Sequence, residues 1–222
     1  VLDYNGARWG EAAEANFLRA VRGGAGVAVI HAADNAFRGW VEYESLVCLL
    51  WRDGTGHGRF HEFEVGITDR SHPITSTLPT LLKHPDELYH RLVHMHEAPH
   101  RVLATAFSDK ETGGTGDHEP MIIVSKFGEG RVFHTPLGHV WRGREETHAS
   151  HRDPQFENVF LRGTEWAATG AVTDGDAAPN SLTQEEEAAG WKLLFDGETT
   201  KGWRGFNRDA FPDEGWEVVS GC

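Results

Sequence analysis

Cysteine is scarce in this chain: Cys48 and the terminal Cys222 are the two among 222 residues. Two thiols so far apart make neither a disulfide framework nor a metal-binding pair. Cys48 stands inside the apolar run LVCLLW and reads as a small buried hydrophobe. Cations are short as well, with 21 Lys and Arg against 34 Asp and Glu, for a formal charge of −13. That balance argues against a nucleic-acid partner, because phosphate binding needs Lys and Arg in surplus on one face. No apolar run is long enough to span a bilayer, and the start lacks a basic-then-apolar leader pattern. The chain therefore reads as soluble, with no membrane partner. The compartment stays open: cytoplasm, or periplasm or exterior if a leader once preceded Val1. The glycine-rich stretch DGTGHGRF lacks the Lys-Ser/Thr ending of a phosphate loop, so no nucleotide is expected.

Histidine is what the chain has in excess, with fourteen residues, many beside Asp, Glu or Gly. Such placement suits a metal or acid–base site better than a core. The apolar fraction of 39%, with eight Trp and twelve Phe, is enough to build a real core. The stretch GGAGVAVIHAAD, residues 23–34, organises the rest. Its run VAVI is apolar on both faces, which suits a parallel strand covered by helices on each side. His31 follows immediately, at the carboxyl end of that strand, where open α/β sheets bind ligands. The alternative is a histidine that only caps a strand.

Apolar spacing predicts amphipathic helices over residues 9–21, 40–51 and 153–166. Strand patterns cover residues 61–68, 101–107, 121–124 and 131–134. His57 lies in the glycine-rich loop, and His61 opens the strand HEFEVGIT four residues later. Across a loop–strand junction that spacing allows a shared metal site without compelling one. Residues 84–89, HPDELY, place Glu87 where a proline-led, solvated helix start is expected. The polar loop at 112–120 ends in Asp117, His118 and Glu119. GEGRVFHTPLGH makes a tight turn and a strand, then a loop that carries His139 toward the same sheet end. Trp40, Trp51 and Trp141 are the indoles able to line a sugar site, although each also suits plain packing.

Three parts follow: an α/β domain over residues 1–170, a linker over 171–186, and a β-rich start over 187–222. In that last part the segments around Trp191 and Trp216 to Val219 read as a hairpin, which is marginal alone in water.

GGAGVAVIHAADNAF, GHGRFHEFEV, DRSHPITSTLP, HPDELYH, GDHEPMIIV and GEGRVFHTPLGH, in this order, resemble the ThuA-like (trehalose utilisation) family. LFDGETTKGW and GWEVVSG resemble the first strands of the 3-keto-disaccharide hydrolase domain, often found after ThuA-like domains. The first resemblance implies a class I glutamine amidotransferase-like fold, a flavodoxin-like, mainly parallel sheet with helices on both faces. It also implies a strand ahead of the first helix; the expectation is that this strand is missing here, and the exposed sheet edge that would leave predicts self-association into a homo-oligomer. His31 stands at the elbow that holds the amidotransferase cysteine, which argues against thiol or serine acyl transfer.

The site residues expected are His31, His139, Glu87 and Asp117 for catalysis, with His31, His57, His61 and His139 for a divalent metal, zinc first. Without metal the same histidines suit general acid–base work, since imidazole titrates near neutrality. The function expected is hydrolase, lyase or isomerase chemistry on a small-molecule carbohydrate, a keto-sugar or disaccharide derivative. A metal-dependent lactone or ester hydrolase and a non-catalytic carbohydrate-binding module are the alternatives.

Overall fold

The structure, a computed structural model, describes residues 1–173, 182, 187–195, 199–205, 208–212 and 218. They fall into two compact units, Val1–Thr173 and Asp174–Cys222. The first begins with helix α1 (Glu11–Arg22), which Gly23 ends by returning its N–H to the Arg19 carbonyl. Strand β1 (Val27–Ile30) follows with all four residues buried. Helix α2 (Val41–Val47) stops at Cys48, which takes a left-handed φ of 69°. Short strands β2 (Leu49–Leu50) and β3 (Gly56–His57) lead to β4 (His61–Ile67) and β5 (Leu81–Asp86). Strands β6 (Tyr89–His90) and β7 (Val93–His94) are again two residues each. The long strands β8 (His100–Phe107), β9 (His118–Phe127) and β10 (Gly130–Thr135) precede helix α3 (Pro154–Thr169).

Six strands form one sheet in the order β1-β10-β9-β8-β4-β5. Of the five strand pairs in this sheet β1 and β10 run parallel and the four others antiparallel. At the outer edge of β1, Leu2 adds an isolated parallel bridge to Val29, so the edge expected to be exposed is partly covered. The expectation of a mainly parallel, flavodoxin-like sheet is thus corrected. Its physical basis was sound for β1, whose alternate residues reach different cores: Ala28 and Ile30 pack toward α3, Val27 and Val29 toward α1 and α2. Burial on both faces follows from helices on both sides and does not require parallel neighbours. The tight turn at Gly128 and Glu129 is a two-residue hairpin, pairing Gly130 with Phe127, and a two-residue connection makes antiparallel neighbours.

Strand β4 shows the alternation expected of a half-buried strand, with Phe63, Val65 and Ile67 buried and Glu62 and Glu64 exposed. Burying each of these side chains contributes roughly 1.5–3 kcal/mol. Residues 84–89 do not begin a helix. His84, Pro85 and Asp86 finish β5, and the proline is tolerated because β5 is an edge strand. Residues 40–51 likewise divide into α2 and β2, because the left-handed Cys48 breaks the helix. Asp153 caps α3 by accepting from the Gln155 N–H, with Pro154 in the first turn. Gly163 lets α3 lie directly on β10, where an added Cβ would stand 2.4 Å from the Phe133 ring.

In the second unit no strand is assigned among the described residues. The segment with Trp216 and Val219, expected as the second strand of a hairpin, lies outside them. Among the described residues no helix is long and apolar enough to cross a membrane.

Candidate active site

The carboxyl end of β1 meets the loop after β10, because those two strands run parallel and end together, Ile30 beside Thr135. His31 leaves β1 with φ 41°, a left-handed conformation that costs a non-glycine residue energy and recurs at functional sites. Its Nδ1 is 2.7 Å from the Pro136 carbonyl oxygen. A carbonyl only accepts, so that nitrogen carries the proton and Nε2 faces the site. His139 Nδ1 lies 2.6 Å from His31 Nε2, and the Tyr89 hydroxyl lies 2.8 Å from the same atom. Neutral His31 has one lone pair for these two neighbours; protonated, it has one proton for them. The three groups therefore form a single proton-sharing unit.

Glu87 completes the cluster. It is 5% exposed, with Oε2 at 3.4 Å from His139 Nδ1 and 3.5 Å from His57 Nδ1. Its other oxygen accepts the Trp141 indole N–H at 2.8 Å. Burial and the nearby His31 charge hold His139 below the ordinary histidine value, against the pull of Glu87 and Asp86. His139 Nε2 is buried without a hydrogen-bond partner. Burial first, then the charges of Asp34, Glu87 and Asp86, push the Tyr89 hydroxyl well above its usual range.

Beneath this layer Asp86 ties the pieces together. Its carboxylate accepts from the backbone N–H of Glu87 at 2.7 Å, of Gly138 at 2.6 Å and of His139 at 3.2 Å. Ser150 Oγ donates to it at 2.9 Å, and His84 Nε2 lies 3.0 Å away. The other nitrogen of His84 is 2.6 Å from Asp153, the cap of α3. Burial alone would raise Asp86, but hydrogen bonding and charge from His84, with His31 and the Gly138 amide, hold it low. For His84, burial lowers the value, and the two carboxylates outweigh it to leave a net rise. Gly138 has φ 112°, a conformation side chains rarely adopt, so the turn that delivers His139 requires glycine.

The structure thus brings together His31, His57, His139 and Glu87 from the expected set. His61 stays outside this contact network: its Nδ1 meets the Arg59 carbonyl at 2.7 Å and its ring packs on Phe63. Asp117 is exposed in a turn, where its carbonyl accepts from Ser108 N–H. Two residues later Glu119 is the buried carboxylate, holding the Arg91 N–H at 3.0 Å. Tyr89, Asp86 and Trp141 are site residues that the sequence pattern did not single out for catalysis. Trp40 is packing: it stacks on Tyr43 at 5.6 Å within a buried aromatic cluster.

Among the described residues no three His, Cys, Asp or Glu side chains are grouped to hold a metal ion. His31 Nε2 and His139 Nδ1 at 2.6 Å are also closer than two nitrogens on one tetrahedral zinc. With Zn–N bonds of about 2.0–2.1 Å those nitrogens would stand roughly 3.3 Å apart. The rings as set do not fit a shared zinc ion.

The mixed α/β domain thus sets two imidazoles, a phenol and a buried carboxylate together beyond the carboxyl end of β1. Residues 1–167 match the family described as ThuA, trehalose utilisation, and the chain belongs to that family. A ThuA-like protein of solved structure from Parabacteroides merdae ATCC 43184 is 37% identical, covering 80% of this chain and 72% of its own, with TM-score 0.72. A second, from Bacteroides uniformis ATCC 8492, shares the fold at 17% identity and TM-score 0.54, over 77% of this chain and 69% of its own. No match is found among curated proteins.

Proposed function

We propose that this chain is an enzyme of carbohydrate metabolism that moves a proton at the carbon next to a sugar carbonyl, with keto-glycosides as substrates. The observation that carries the reading is the 2.6 Å contact of His31 and His139, with Tyr89 2.8 Å from the same nitrogen. His139 is the base: kept neutral by burial and its neighbour, it takes the proton while the C–H electron pair moves onto the carbonyl oxygen. Tyr89 stays protonated throughout the neutral range and donates to that oxygen, and His31 returns the proton between the two. Reprotonation at the neighbouring carbon gives isomerisation. Expulsion of a glycosidic substituent gives a lyase step, and water adding back completes hydrolysis.

Membership of a trehalose-utilisation family supports the carbohydrate class. The resemblance of residues 194–203 to the start of the 3-keto-disaccharide hydrolase domain supports keto-sugars within it. The test is product formation from 3-keto-glycosides, followed by NMR, for wild type and for His31→Ala. Turnover that His31→Ala loses supports the reading, and equal turnover in both proteins refutes it.

A second reading is favoured by Trp141, which is 45% exposed beside the cluster: a module that binds sugar without transforming it. Calorimetric binding with no product from any keto-glycoside distinguishes it.

A further inference from the structure

Five rings run in unbroken contact through the site. Trp141 to His139 is 4.8 Å between centroids, His139 to His31 4.7 Å, His31 to Tyr89 4.5 Å and Tyr89 to Trp51 4.5 Å. The inner three carry the acid–base groups and are largely buried; the outer two are indoles that reach solvent. Trp141 is held firmly for a side chain 45% exposed. Its indole N–H is fixed on buried Glu87, and its backbone N–H donates to Thr147 Oγ1 at 2.9 Å. Nothing in the core needs an indole there, since Trp141 belongs to neither apolar cluster. Trp51 is half-buried, with its ring 6.0 Å from that of His57.

We infer that Trp141 is the stacking platform for an uncharged pyranose ring, with Trp51 as a second platform at the other end of the row. The inference rests on the acid–base reading above and names its substrate class: a neutral glycoside whose reacting carbon lies over His31 and His139. The C–H face of a pyranose is apolar and matches an indole face, while its hydroxyls find partners in Glu87 and His57. Glu87 places a carboxylate 3.4 Å from His139 within this row, which disfavours a sugar phosphate there.

Equilibrium binding of trehalose and of glucose 6-phosphate, by calorimetry on the full chain, tests this. Wild type is expected to bind trehalose and to reject the phosphate. Trp141→Ala is expected to weaken trehalose binding tenfold or more, and Trp51→Ala severalfold. Trp141→Phe, which keeps an aromatic face, restores most of the affinity and guards against a folding defect in Trp141→Ala. Trehalose binding unchanged in Trp141→Ala, or absent from wild type, overturns the inference. Trp141-dependent binding in a wild type that turns over no keto-glycoside refutes the acid–base reading and leaves the platform standing. Turnover that does not depend on Trp141 does the reverse.

Discussion

At the scale of the residue, the candidate site is a set of hydrogen-bonding groups whose members constrain one another. His31 is fixed from behind by the Pro136 carbonyl, so its free nitrogen is the one His139 and Tyr89 share. Replacing His31 or His139 by Ala is expected to lower turnover of a keto-glycoside by about 10²–10⁴, the usual worth of a positioned acid or base. Steady-state kinetics with folding checked by circular dichroism would show it, and a loss below tenfold would be inconsistent. Asp86 acts through others. Asp86→Ala removes one partner of the buried Asp86–His84 pair and is expected to destabilise by about 3–5 kcal/mol, read by denaturant unfolding.

The titration of His84 gives a pH dependence of known sign. Its folded value is raised above 6.5 by Asp86 and Asp153 against burial. Its stabilisation is therefore complete below 6.5 and is lost as pH rises through the higher folded value. Melting temperature is expected to decline as pH climbs from 6.5 into the alkaline range. His84→Gln is expected to flatten that decline, and an identical slope in the variant would remove His84 from the account.

At the scale of the element, the contact of α3 with β10 decides how closely the loop after β10 is held. Gly163→Ala pushes a methyl group to within 2.4 Å of the Phe133 ring, so helix or ring must move. The expected cost is about 1–3 kcal/mol, seen as a lower melting temperature with an unchanged denaturant m-value. Much of this level was legible in the sequence. The apolar run VAVI and the alternation of HEFEVGIT mark β1 and β4 by pattern alone. What misled was a real ambiguity: a strand covered on both faces looks the same whether its neighbours run parallel or antiparallel. HPDELY misled for another reason. Adjacent carboxylates after a proline resemble a helix start, and only the edge position of β5 makes room for Pro85 in a strand. Glu87 is singled out from that segment all the same; Asp86 and Tyr89 carry no spacing signal that marks them, because only the fold turns them toward His84 and His31. The meeting of His31 and His139 was legible because each follows a strand, β1 or β10, that ends at the same edge of the sheet, whereas His57 arrives from the separate β3–β6 pair. His61 and Asp117 share their neighbourhoods in sequence but not their contacts.

At the scale of the molecule, every side chain of the proposed chemistry belongs to the unit Val1–Thr173. Activity is accordingly expected from a chain shortened to residues 1–173, with kcat/KM undiminished; loss of activity in a folded shortened chain would place part of the site beyond residue 173. Because the His31–His139 pair is too close for a shared zinc ion, exhaustive chelation is expected to leave turnover intact, with metal content checked by plasma emission. The most direct measurement is proton exchange itself, with a 3-keto-glycoside in deuterated water, following loss of the hydrogen beside the carbonyl by NMR. The account predicts rapid exchange with wild type and a loss of at least about a hundredfold in His139→Ala. Exchange at the uncatalysed rate with wild type, or at the same rate in both proteins, would contradict it.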